Sequence, residues 1–72
     1  MLPYQQRVID EKKSLDEKLV KLKDFMDTQE YRQLLEAEQN RMFKQSLVMK
    51  EYSDILRARI AYFTTLDTNP KD

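Results

Sequence analysis

The sequence predicts an all-α protein, an antiparallel helical hairpin that assembles with other copies of itself into a compact homo-oligomer. Three observations lead there. Gly and Cys are absent and the two prolines, Pro3 and Pro70, lie near the ends, so the interior lacks the strongest helix breakers. Apolar residues recur at spacings of three and four along two segments. Those segments are unequal, and they carry more apolar surface than a 72-residue hairpin can bury within itself.

Pro3 suits the first turn of a helix, where its missing donor costs nothing. From Tyr4 to Met26, Val8, Leu15 and Leu22 form one apolar row and Leu19 and Met26 a second, with Lys12 in the slot between Val8 and Leu15. The stripe is narrow, as in a coiled coil. A short separate N-terminal helix is left open. Asp27-Thr28 is the expected break: either residue can cap a helix, and Asp27 with Glu30 has capping-box spacing. So short a connection predicts antiparallel neighbours.

The second helix is expected from Gln29 to about Thr65, with Leu35, Met42, Met49, Leu56 and Phe63 repeating every seven residues. Tyr31, Leu34, Val48, Tyr52, Ile55, Ile60 and Tyr62 widen this row into a face that one partner helix does not cover. Lengths of roughly 35 and 55 Å leave about 20 Å of the second helix without a partner from its own chain. If both helices start from the turn, that expected overhang carries Tyr52, Ile55, Leu56, Ile60 and Phe63. A kink in the polar stretch from Glu36 to Gln45 would shorten that overhang and is left open, although no Pro or Gly marks one. Residues 1–66 read as one oligomerising domain and 67–72 as a polar, flexible tail.

Composition narrows the function classes. Thirteen basic and thirteen acidic residues cancel and are interspersed, which argues against a nonspecific DNA binder. The longest strictly apolar run, Ile60-Ala61-Tyr62-Phe63, is far short of a membrane span, and no signal-peptide pattern is present. Without His or Cys the usual zinc ligands, the commonest general base and the thiol nucleophile are all missing. Ser14, Ser46 and Ser53 have no neighbouring base or Gly-rich oxyanion loop, and paired carboxylates such as Asp16-Glu17 point in different directions on a helix. The expectation is a non-enzyme without metal or cofactor.

Recognition chemistry remains. Tyr4 stands at a helix start, where an aromatic face, free amides and the helix dipole coincide, and Arg7 is one turn on. An isolated Tyr there also fits a packing role with a wet hydroxyl. Lys18 and Lys21 have acidic neighbours on the helix surface, and Arg57 and Arg59 suit the C-terminal end of a helix dipole, so all four also fit plain surface charge.

The pattern Tyr4-x2-Arg7-Val8-Ile9-Asp10-Glu11, Leu15-Asp16-Glu17-Lys18-Leu19, Lys21-Leu22-x2-Phe25, with Glu38-Gln39, Met49-x2-Tyr52-x3-Leu56 and Arg59-Ile60-x2-Phe63, closely resembles the small phage anti-CBASS sponge proteins over residues 4–63. The resemblance implies a helical homohexamer in the host bacterial cytoplasm that binds cyclic di- and trinucleotide messengers, such as cyclic GMP-AMP, without cleaving them. It further implies cyclic dinucleotide pockets between protomers, with Tyr4 stacking on a base and Lys18, or Lys21 in another register, on the phosphates. Arg7 can reach the Tyr4 surface. For a separate cyclic trinucleotide pocket the nearest matches are Arg57 or Arg59 with Thr64 or Thr65. The competing reading is a structural helical oligomer or protein-binding adaptor with no nucleotide ligand.

Overall fold

The structure, a computed structural model, describes residues 1–68, with side chains described through Thr65. Among the described residues three helices follow one another: α1 (Pro3–Met26), α2 (Gln29–Arg32) and α3 (Glu36–Thr68). Helices α1 and α3 form an antiparallel pair, and α2 is a single turn between them. Residues 69–72, most of the expected tail, lie outside the described residues.

Helix α1 is unbroken from Pro3, so the short helix stands in the connection and not before α1. Leu2 offers no side-chain acceptor at the cap, but Gln5 Oε1 accepts the Leu2 N–H at 2.8 Å, the reciprocal half of a capping box. The inner face of α1 is the stripe read from the sequence: Val8 and Leu19 are buried, and Leu15, Leu22 and Met26 are half-buried.

The chain reverses at Asp27-Thr28 as expected, with Thr28 as the cap. Thr28 Oγ1 accepts the Tyr31 N–H at 3.2 Å and its hydroxyl donates to the Phe25 carbonyl, while Asp27 closes α1. The second helix, however, does not run from Gln29. It stops after Arg32 and restarts at Glu36, which corrects the single long helix expected from the sequence. A laterally placed turn of helix carries the chain across the 8–10 Å that separates packed helix axes. Phe25 and Tyr31 meet edge to face at 6.3 Å, the Tyr31 hydroxyl donates to the Gln39 carbonyl at 3.0 Å, and Gln39 Nε2 donates to the carbonyls of Leu34 (2.8 Å) and Arg32 (3.2 Å). Asp27 (φ −91°) and Gln33 (φ −89°) close their helices at negative φ, so glycine is not needed at either.

The later start of α3 removes the expected overhang. Tyr4 packs edge to face on Phe63 with ring centroids 6.2 Å apart, and Val8 joins Leu56 and Phe63 in the core. Near the turn, Lys23 and Met26 face Phe43, Ser46 and Leu47. Helix α3 therefore outruns α1 by about one to two turns at each end instead of about 20 Å at one. Leu56, which the overhang was to expose, is 0 % exposed, and Phe63 is buried. Leu35 of the seven-residue repeat falls in the connection and is exposed.

Register along the pair is fixed by polar groups. Lys12 Nζ donates to Asp16 Oδ2 (2.6 Å) and Ser53 Oγ (3.2 Å), and the Ser53 hydroxyl donates to Asp16 Oδ1 (2.6 Å). Ser46, also buried on the inner face of α3, donates to the Phe43 carbonyl at 2.6 Å. Apolar surplus remains as a lateral face: Val48, Tyr52, Ile55 and Tyr62 follow the heptad rhythm on α3 and are all exposed.

Candidate functional site

The pairing of α1 with α3 brings the first turn of one beside the last third of the other. There Tyr4, Ile55, Ala58, Arg59, Tyr62 and Phe63 line an open groove of about 460 Å³, within the size range of small-molecule sites. Phe63 forms the buried floor and meets Tyr4 in a T-shaped contact, at 72° between ring planes. Tyr4 is 45 % exposed, so the residue stays accessible in part. Arg59 enters from the row between Ile55 and Tyr62, and none of the ion pairs among the described residues engages it.

The structure separates the two arginines that the sequence left as alternatives. Two helical steps turn Arg57 about 200° away from Arg59. Arg57 Nη2 donates to Asp54 Oδ1 at 3.4 Å, and Lys50 binds both oxygens of the same carboxylate at 2.8 and 3.0 Å. The hydrogen bond from Lys50 is the main reason the Asp54 carboxyl sits below its usual range. Arg59 is the arginine that lines the groove, and it does so beside Tyr4, a residue expected at a different pocket.

The remaining sequence candidates are not gathered there within one chain. Arg7 is exposed one turn beyond Tyr4 and does not line the groove. Lys18 and Lys21 are exposed farther along α1, about 21 and about 26 Å from Tyr4 at 1.5 Å per residue on a continuous helix. Lys21, one turn after Glu17, is in none of the ion pairs among the described residues. Thr64 and Thr65 follow Phe63 on α3 and are exposed, outside the lining. The start of α1 offers fewer donors than expected, because the amides of Leu2, Gln5 and Gln6 already have partners within the chain.

Sequence reading placed Tyr62 in an apolar row and gave Ala58 no role. Both line the groove, and the signal was spacing: Tyr62 is three residues after Arg59 and four after Ala58, on one helix face. A second groove of about 370 Å³ near the turn, lined by Lys23, Met26, Asp27, Phe43, Ser46 and Leu47, contains none of the predicted residues. Among the described residues no cluster of three or more acidic side chains could hold a metal ion, and no helix is long and apolar enough to cross a membrane.

In chemical terms the Tyr4 groove offers aromatic faces, apolar walls and one guanidinium, a set that suits a planar, anionic ligand. A protein-family model described as Sequestin matches residues 2–62 of the chain. No curated protein and no solved structure matches it.

Proposed function

The chain belongs to the Sequestin family, the phage sponge family its sequence resembles, and from this premise we propose that it binds and holds cyclic di- and trinucleotide messengers, cyclic GMP-AMP among them, without cleaving them. Its effect is to keep the messenger from the CBASS effector in the host bacterial cytoplasm. The observation that carries the reading is the open groove in which Tyr4 and Arg59 stand together, with no ion pair among the described residues engaging the guanidinium. Stacking a base on an aromatic ring contributes about 1–3 kcal/mol, and a guanidinium binds phosphate through charge-assisted hydrogen bonds.

The dinucleotide site in this proposal lies between protomers of a homohexamer. One chain cannot bring Tyr4 and Lys18 to one small ligand across about 21 Å of continuous helix, so Tyr4 and Arg7 come from one protomer and Lys18 or Lys21 from another. Arg59, with Thr64 or Thr65, serves the trinucleotide, and because it lines the Tyr4 groove it also meets a phosphate of a ligand stacked on Tyr4. Sequestration is mass action: free messenger falls with protein concentration and affinity, with no turnover. A net charge of zero limits long-range attraction to nucleic acid while a few converging cations hold the phosphates.

Isothermal titration of cyclic GMP-AMP, followed by extraction and chromatography of the ligand, tests the reading. Tight binding at about one ligand per two chains, with intact ligand recovered, is expected for a site shared by two protomers. Tyr4→Ala and Lys18→Ala should each weaken binding while assembly is retained. No heat with either cyclic GMP-AMP or a cyclic trinucleotide would leave a structural oligomer or adaptor in its place.

A further inference from the structure

We propose that Tyr62 is a second base-stacking residue of the Tyr4 groove, so that the groove takes a nucleobase against two phenol rings and not one; this rests on the sequestration reading above. Tyr62 lies on the same wall as Arg59, one turn along α3, and is 67 % exposed although it is a large aromatic on an ordered helix. Helical side chains lean toward the preceding turn, which directs the Tyr62 ring over position 58. Position 58 is Ala, whose single methyl leaves the space above it open.

Across the groove, Tyr4 packs in a T-shaped contact on buried Phe63, which reduces the side-chain freedom to be lost when a ligand arrives. Tyr62 has two rotatable angles and a hydroxyl that keeps the exposed ring compatible with water, the combination that makes tyrosine effective at recognition surfaces. Arg59, between Ile55 and Tyr62, is positioned for a phosphate attached to the stacked base. The chemistry selects a ligand with both an aromatic base and an adjoining phosphate over either alone.

Cyclic GMP-AMP and a cyclic trinucleotide are titrated into the wild-type chain, Tyr62→Ala and Tyr62→Phe, with assembly mass measured on each. Tyr62→Ala should weaken at least one ligand about 5- to 140-fold, the equivalent of about 1–3 kcal/mol of stacking, at unchanged mass. Tyr62→Phe keeps the ring and should bind within about twofold of wild type. Wild-type binding with an unaltered Tyr62→Ala overturns this inference and leaves the sequestration reading intact. A loss accompanied by a changed mass also overturns it, since the ring then acts in packing between chains, as does an equal loss in Tyr62→Phe. Wild-type binding of neither ligand overturns the sequestration reading itself.

Discussion

Lys12 interrupts the apolar stripe of α1 because its partner is Ser53, forty-one residues away, and Asp16 closes the triangle. The gap at Lys12 was visible in the sequence, but its meaning was not, because nothing local marks which residue of α3 will stand opposite. The same holds for Arg57 and Arg59, which differ by the side of the helix they occupy and by Asp54 one turn before Arg57. The polar triangle gives two expectations. Ser53→Ala removes a buried hydroxyl that bonds both partners and should lower stability by about 1 kcal/mol, read as a shift of the urea midpoint at unchanged slope. Asp16 is held below the usual 3.8, first by the hydrogen bond from Lys12 and then by that from Ser53. A carboxyl whose pKa is depressed by folding takes up its proton more readily in the unfolded chain, so its contribution is fully present above the unfolded value, about 3.8, and is lost as pH falls through the folded value. Between about pH 6 and about pH 2, Asp16→Asn should therefore lose less stability than wild type. Equal losses would mean that Asp16 carries none of the acid dependence.

At the scale of elements, both long helices and the reversal at Thr28 were legible, because apolar periodicity and a capping hydroxyl are local signals. The break at Gln33–Leu35 was not. It contains neither Gly nor Pro, and the Leu34 carbonyl within it and the Arg32 carbonyl just before it accept from the side chain of Gln39, in the helix that follows. An element ended by a side chain from its successor leaves no trace within its own residues. The break sets the pairing: a helix starting at Gln29 would leave about 20 Å of α3 unpaired at one end, whereas the start at Glu36 brings Phe63 to Tyr4 and leaves only short extensions at both ends. Gln39→Ala removes both donors, and the cost should be about 1–2 kcal/mol in the urea midpoint. Amide exchange should accelerate around residues 33–39, where the connection opens, while the middle of the α1–α3 pair keeps its relative protection. Uniform acceleration along the whole chain would show that the connection has no independent opening and that Gln39 supports the hairpin as one unit.

For the molecule as a whole, shape links fold to assembly. The radius of gyration is 16.5 Å and the extents are 56 × 16 × 16 Å, whereas a compact 72-residue globule has a radius of gyration of about 11 Å. The accessible surface of 5647 Å² exceeds the roughly 4,700 Å² expected of a compact monomer of this mass. A rod two helices wide buries one seam and leaves a flank, and on α3 neighbouring residues divide the two tasks. Leu56 is sealed in the seam against Val8 and Phe63, while Ile55, 54 % exposed, belongs to the lateral row with Val48 and Tyr52. Under the proposed hexamer, the thermal midpoint should rise with protein concentration, because association stabilises the folded protomer by mass action. Leu56→Ala opens a cavity inside each protomer and should cost about 2–5 kcal/mol. Ile55→Asp leaves the seam untouched but places a charge on the flank, and sedimentation should show species of lower mass with helical dichroism partly retained at high concentration. If Ile55→Asp sedimented like wild type, or the wild-type midpoint ignored concentration, the flank would be solvated surface and a dinucleotide site shared by Tyr4 of one chain and Lys18 of another could not form.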